Sequence, residues 1–435
     1  MHRIVIVGGG AGGLELATRL GNRLGKSGRA HITLVDRSPV HVWKPLLHEV
    51  ATGSLDTHAH EIVFAAHSYW NHFTFVRGEL RALDRDNQVA KVGLIVESDG
   101  HGVEDLPARD LEYDTLVLAL GSRTHFFGVS GAEEHAVALD TLHQAERLRK
   151  RLLQLCLKKQ ADDATTEVDE PVNVVIIGGG ATGVELAAEL RRMERTLKQF
   201  RLLSESSAAM RITLLDRGNR VLPALPEKVS TATHSILEKM DISVRVSTAV
   251  TKVLPSGVEV DGKEIVPADV AIWVAGIKAP EVLATFDGLA VNQINQVKVR
   301  GSLQSESDTN IFALGDCSSC SWTEKAMVPP RAQAAHQQAM FLFKALSARI
   351  EGRATEEFRY KDHGSLVSLG SPTAVGSLAG ISSTGKFFVE GFVAKLMYAA
   401  LYRKHLMAVS GLRRTIFLIA AHGLGRLLTP RVKLH

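Results

Sequence analysis

One pattern occurs twice, and it limits what this chain can become. Residues 3–20 read RIVIVGGGAGGLELATRL and residues 173–190 read NVVIIGGGATGVELAAEL, an offset of 170. Each copy is followed by a matched second piece, ITLVDR at 32–37 and ITLLDR at 212–217, at an offset of 180. That period is far too long for a solenoid and fits two copies of a whole domain. In each copy a continuous β-branched run predicts a strand covered by helices on both faces. Glycines follow, then apolar residues at helical spacing (Leu14, Ala17, Leu20; Val184, Ala187, Leu190), then another strand. The growth of the offset falls in a polar stretch at 191–207.

The glycines carry chemistry. Gly8-x-Gly10-x-x-Gly13 and Gly178-x-Gly180-x-x-Gly183 both lie between a predicted strand and a predicted helix. The first glycine permits a tight turn, the second lets backbone approach a pyrophosphate, and the third lets helix and strand pack closely. The helix N-terminus offers free N–H groups and positive potential to phosphates. Asp36 and Asp216 close the next strands, where a carboxylate accepts hydrogen bonds from a ribose diol and repels a 2′-phosphate. The second site is therefore expected to prefer NADH, although Arg217 beside Asp216 tempers that preference. The bland alternative is two tight glycine loops with solvated acids. Two nucleotide turns in one chain imply two nucleotides; the usual division is a resident FAD at the first and a transient nicotinamide at the second.

Length and composition frame the rest. At 435 residues, about three domains are expected. Apolar residues at 45% and charged residues at 23% exclude a disordered chain. Three cysteines are too few for a disulfide framework. No apolar run reaches the roughly 18 residues of a membrane span, and no apolar leader precedes Ile4, so a cytoplasmic chain starting at Met1 is expected. The net charge of +4 is unevenly spread: residues 391–435 carry eight Lys or Arg and no acid, leaving −4 on residues 1–390. A basic tail of this kind points to an anionic partner, lipid headgroups or nucleic acid.

Further strands are expected at 113–120, ending in Gly121, at 269–275, ending in Gly276, and at 311–314, ending in Gly315-Asp316. The acidic stretch ADDATTEVDEP at 161–171 reads as a domain linker. A helix is expected after Pro329-Pro330, and antiparallel strands from 358 to 390.

These residues resemble the flavoproteins with two dinucleotide-binding domains. That resemblance places Asp316 against the ribityl chain of FAD. Disulfide reductases of that group carry a cysteine pair soon after the first motif; residues 43–50 (WKPLLHEV) have none. Cys317-Ser318-Ser319-Cys320 is left open as a disulfide, a soft-metal clip or plain thiols, and no metal site is expected. After Pro329-Pro330, Ala332-Gln333-Ala334-Ala335-His336-Gln337 matches A-Q-x-A-x-Q, which puts Gln333 and Gln337 on one helix face. With WKPLLHEVATGSL at 43–55 and YKDHGSLVSL at 360–369, the chain resembles the bacterial type II NADH:quinone oxidoreductases along essentially its whole length.

The resemblance implies an α/β fold: two Rossmann-like dinucleotide-binding domains plus a C-terminal amphipathic, helical, membrane-anchoring region. It implies an FAD domain at 1–120 and 300–345, an NADH domain at 121–299, and strands with basic surface helices at 346–435. FAD would be held by Gly8, Gly10, Gly13, Asp36, Arg37, Lys44, Gly121, Asp316 and Gln333. NADH would be held by Gly178, Gly180, Gly183, Glu185, Asp216 and Gly276. Glu185 is carried over as a proton-relay carboxylate, Gln333 and Gln337 as quinone-side amides, and His363 as the basic group where that family often has Lys; Lys361 is an alternative. Glu15, the repeat counterpart of Glu185, is expected to be a local structural or ribose contact. Lys44 and His48 are placed near the flavin ring.

In the tail, Val393, Leu396, Met397, Ala400 and Leu401 recur at helical spacing, and 416–421 (IFLIAA) lies between Arg413-Arg414 and Arg426. Basic, amphipathic and acid-free, these segments fit helices lying on an anionic membrane surface. The expected setting is a homodimer on the cytoplasmic face of the bacterial inner membrane, drawing on the membrane quinone pool, without proton pumping and without nucleic acid. The rivals are a sulfide:quinone reductase using Cys156 and Cys317, and a nucleotide-binding redox sensor.

Overall fold

A computed structural model of the chain describes residues 1–93, 95–97, 103–105, 108–163, 170–204, 209–324, 326–370, 374–379 and 386–428. It divides into two compact units. One comprises Met1–Lys44, Glu61–Arg123 and Ile277–Lys361; the other comprises Pro45–His60, Thr124–Gly276 and Asp362–His435.

Each unit is built on a five-stranded parallel sheet. In the first the strand order is Ile311–Ala313, Thr115–Leu118, His2–Val7, Ala30–Asp36, Thr74–Arg77. In the second it is Ala136–Ala138, Val270–Trp273, Val172–Ile177, Met210–Leu215, Ile242–Arg245. The strand that runs into the glycine turn is central in both, with Ile4 opposite Ile32 and Thr115, and Val174 opposite Ile212 and Val270. A central strand sandwiched by helices must be apolar on both faces, which is why IVIV and VVII are buried throughout. Both units also insert an antiparallel three-stranded meander before the strand that ends in Gly121 or Gly276: Glu79–Asp84, Val89–Gly93 and Arg109–Glu112 in one, Val250–Leu254, Gly257–Val260 and Glu264–Pro267 in the other.

The unit boundaries differ from the sequence expectation. Residues 277–299 belong with the first unit, where Val297–Lys298 pairs with Ser318–Ser319. Residues 45–60 belong with the second, because helix Leu47–Ala51 packs on helices Leu142–Asp163 and Ala181–Gln199. Residues 346–361 also fall in the first unit, and 362–435 are no separate domain: strand Gly364–Ser368 lies against helix Ala181–Gln199. The expected linker at 161–171 joins no two units. Its start belongs to helix Leu142–Asp163, both of its flanks lie in the second unit, and 164–169 fall outside the described residues.

Helix Ala332–Ile350 begins just after the proline pair, and Gly364–Ser368, Ala374–Ala379 and Lys386–Glu390 pair antiparallel. The tail is helical over Gly391–Leu428 except at Gly411 (φ 77, ψ 161), a conformation open to glycine, which breaks it into two helices. Among the described residues no helix is long and apolar enough to cross a membrane.

Candidate functional site

Gly8 takes φ +107, and a Cβ there would lie 2.2 Å from the Ala119 carbonyl oxygen. A Cβ on Gly13 would lie 1.9 Å from the Gly8 oxygen, whereas one on Gly10 would meet nothing within 4 Å. The protein's own backbone therefore demands glycine at 8 and 13, while Gly10 keeps space open before the helix. The second turn repeats this. Gly178 has φ +120 and a Cβ there would lie 2.7 Å from the Ala275 nitrogen; at Gly183 it would lie 1.9 Å from the Gly178 oxygen; at Gly180 it would meet nothing within 4 Å. Neither helix that follows has a side-chain cap or an acid in its first turn, so its leading N–H groups keep their demand for an acceptor. An open cradle under unspent donors fits a pyrophosphate at both places.

Asp36 and Asp216 first serve their own turns. Asp36 accepts from Gly9 N at 2.6 Å and Ser38 N at 2.8 Å; Asp216 accepts from Gly179 N at 2.5 Å and Gly218 N at 2.6 Å. A carboxylate offers about four lone-pair sites, so each retains capacity for a ribose diol. Burial raises the pKa of Asp36, opposed by those N–H groups and by Arg37. Arg37 and Arg217 are exposed.

The rear of each turn is held differently. The Gly9 carbonyl accepts from His41 Nδ1 at 2.8 Å, and the Gly179 carbonyl accepts from Leu222 N at 2.7 Å. His41 is buried, and burial pushes its pKa down to about 4, so the ring is neutral and carries its proton on Nδ1. Sequence reasoning missed His41. Its one trace is a polar residue where the repeat has Val221.

The first unit gathers three of the expected flavin residues. The Asp316 carboxylate accepts from Ser122 Oγ at 2.8 Å, beside Gly121, and the Ser122 carbonyl accepts from Lys44 Nζ at 2.8 Å. Gln296 Nε2 donates to the Asp316 carbonyl at 2.8 Å. The glutamine motif divides its labour unexpectedly. Gln333 is half-buried in the first turn of its helix. Gln337 is committed to the backbone: its Nε2 donates to Lys361 O at 2.8 Å and its Oε1 accepts from Lys361 N at 2.9 Å. It clamps a chain segment, where the sequence reading had it oriented toward a quinone. The overlooked neighbour Gln338 is fully buried and accepts from Gly315 N at 2.7 Å, which holds the turn that presents Asp316.

Glu15 is completely buried, 2.8 Å from Arg19 Nε and 2.6 Å from His336 Nδ1, so it is a local structural contact. In the second unit Glu185 is buried, accepts from Ser368 N at 3.0 Å and lies 3.6 Å from His48 Nδ1. The equivalent of Arg19 is Glu189, which accepts from Ser54 Oγ at 2.7 Å. Gly276 has φ +67 with the Phe127 ring against it. His363 is exposed.

All three cysteines are free and buried, and burial pushes the thiols of Cys156 and Cys317 up to about 12 and Cys320 up to about 11. Thiols so far from the thiolate state are inert. Of the sixteen exposed large apolar side chains among the described residues, six lie on the tail: Leu401, Met407, Leu412, Ile416, Phe417 and Ile419. Arg403, Lys404, Arg413 and Arg414 are exposed among them. The expectations for residues 391–399 and 422–435 fall on side chains outside the described set.

Comparison with known proteins agrees with this architecture. The family model for pyridine nucleotide-disulphide oxidoreductases matches residues 2–339. A type II NADH:quinone oxidoreductase of Haemophilus influenzae is 40% identical over 447 aligned residues, covering 100% of both chains. The demethylphylloquinone reductase NdbB of Synechocystis is 30% identical over 390 residues, 88% of each chain. The solved structure of NDH2 from Plasmodium falciparum superposes with a TM-score of 0.78 at 18% identity, covering 99% of this chain and 100% of that one, which shows the shared fold. The chain belongs to the pyridine nucleotide-disulphide oxidoreductase family and, within it, to the type II NADH:quinone oxidoreductases.

Proposed function

We propose that the chain oxidises NADH and reduces a membrane quinone, with FAD as resident cofactor and without proton pumping. One observation carries this reading: two cradles with unspent helix N–H groups lie in one chain, and the first is completed by Asp316 and Ser122. Bound FAD supplies two-electron chemistry between a hydride donor and a quinone. Gly8, Gly10, Gly13, Asp36, Arg37, Lys44, Gly121, Asp316 and Gln333 hold it. Gly178, Gly180, Gly183, Asp216, Glu185 and Gly276 receive NADH. Glu185 handles protons, and Gln333 with His363 serves the quinone side; Gln337 acts there by fixing the Lys361 peptide. The basic and apolar tail surface fits an anionic membrane, and a homodimer on the cytoplasmic face of the bacterial inner membrane is the proposed setting.

The test is spectroscopic. The purified protein should be yellow, bleach with NADH and recover colour with a short-chain quinone; a colourless protein that binds no FAD refutes the reading. I416D combined with F417D should release the protein from anionic vesicles, and unchanged vesicle binding would remove the tail assignment.

A further inference from the structure

His48 is used by nothing described so far. It lies on the short helix Leu47–Ala51, 2% exposed, in the second unit. Its ring makes a hydrogen bond to the Pro45 carbonyl. Nε2 is buried and has no hydrogen-bond partner among the described residues. Nδ1 therefore carries the proton, and Nε2 presents a bare lone pair inside the protein. Nδ1 lies 3.6 Å from Glu185 Oε2, whose other oxygen is fixed by Ser368 N at 3.0 Å.

The repeat makes this arrangement informative. In the first unit the equivalent carboxylate, Glu15, also meets a histidine Nδ1 through Oε2, but Arg19 Nε compensates it at 2.8 Å. In the second unit that position is Glu189, so the helix places two buried carboxylates one turn apart. Among the described residues, the charged and titratable groups around this pair include Arg192, which donates to Glu189 at 3.3 Å, Arg149, the buried cation of Leu142–Asp163, Glu49 of the same short helix, and Tyr402, which faces Glu49. A buried carboxylate responds to any dipole beside it.

We propose that His48 and Glu185 work as one proton-binding pair, in which His48 is the positioning residue that sets the proton affinity of the Glu185 carboxyl. The inference rests on the reading of Glu185 as the proton-handling group. The balance of the proposed reaction requires such a group: NADH, a proton and a quinone give NAD+ and a quinol. The hydride carries one hydrogen with both electrons, and the second hydrogen arrives as a proton. Nδ1–H bonds the Pro45 carbonyl, and its positive end, with Nδ1 3.6 Å from Oε2, also favours the Glu185 anion, so its removal makes the carboxyl hold its proton to higher pH.

The experiment uses the holoenzyme with E185Q, H48L and H48Q variants. The infrared carbonyl band of protonated Glu185, identified by its loss in E185Q, is titrated without substrate. Its midpoint should rise by about 1 pH unit in H48L and return toward wild type in H48Q, whose amide keeps a donor. With a short-chain quinone, the alkaline limb of the rate profile should move by the same amount. With ferricyanide, which takes electrons and no proton, it should stay in place. A Glu185 band that titrates identically in all His48 forms overturns the pairing, as does an equal shift with both acceptors. If H48L does not fold, H48N, whose amide falls short of the carboxylate, takes its place. Undiminished quinone reduction by E185Q would refute the role of Glu185 instead, and the infrared titration stands independently of that outcome.

Discussion

The two glycine turns share a backbone and differ in what supports it. Both place an open glycine before an uncapped helix, and both bind their central N–H to an aspartate. Behind the first turn stands a side chain, His41; behind the second stands a peptide N–H, from Leu222 at φ +50. In the first helix the buried carboxylate is locked by Arg19 and His336, while in the second it faces a neutral imidazole and a backbone N–H. The cradle repeats because phosphate geometry and chain sterics leave few solutions. The polar support varies because any donor of the right reach serves. The rear of the turn assigned a resident cofactor is braced by a side chain, and that of the turn assigned an exchanging nucleotide by backbone.

The comparison breaks first at the glycines. A Cβ on Gly13 or Gly183 runs into backbone at 1.9 Å, which no rotamer relieves. We expect G13A to purify without flavin. G183A should keep its flavin and bind NADH at least ~100-fold more weakly, the equivalent of ~3 kcal/mol of overpacking. Flavin absorbance and quenching by NADH report the two effects separately. G10A and G180A introduce no internal clash, so loss of nucleotide there without loss of folding would show that the open space belongs to the ligand. Normal nucleotide binding by G10A and G180A would contradict the cradle.

The buried glutamates come next. E15Q strands Arg19 opposite a neutral amide and should cost roughly 3 kcal/mol of stability, in the range for breaking a buried ion pair. E185Q keeps an amide oxygen to accept from Ser368 N beside the neutral His48 and should cost less, about 1 kcal/mol. Denaturant midpoints measure both, and equal losses would mean that the two helices are braced alike.

How far the sequence disclosed this is clear from particular residues. The glycine turns and the strands that flank them were legible because each is written in a few consecutive residues. Gln337 was misread because its partner is a peptide 24 residues on. Gln338 and His41 were missed because a buried polar side chain declares itself only through the carbonyl or N–H it reaches. The strand Ala136–Ala138 is three residues long, too short for a period, and the assignment of 45–60 to the second unit and 277–299 to the first could not be seen, because it is decided by the packing of helix Leu47–Ala51 and the pairing of Val297–Lys298.

The different braces predict different responses to acid. The pKa of His41 is pushed to about 4 in the fold, below its ordinary 6.5, so the unfolded chain takes up the proton more readily. Its contribution is complete above pH 6.5, declines as pH falls and is lost by about 4, a difference of about 3 kcal/mol. The Leu222 brace has no such dependence. Flavin retention should therefore fall over this window, and H41Q, an amide that does not titrate, should flatten the fall. His48 adds to general acid instability in the same direction, so retention is to be compared with unfolding of the same samples. An unchanged slope in H41Q would remove His41 as the acid-sensitive brace.

Tenfold effects separate the aspartates. D36N and D216N each keep one acceptor for the turn but lose the charge that strengthens bonds to a ribose diol, a loss of ~1.5 kcal/mol or about tenfold. D36N should raise the Kd for FAD and leave the KM for NADH alone; D216N should do the reverse and narrow the preference for NADH over NADPH, since no full negative charge then opposes a 2′-phosphate. If either substitution weakens both nucleotides, the turns are not independent, and the likeness of their backbones has been taken too far.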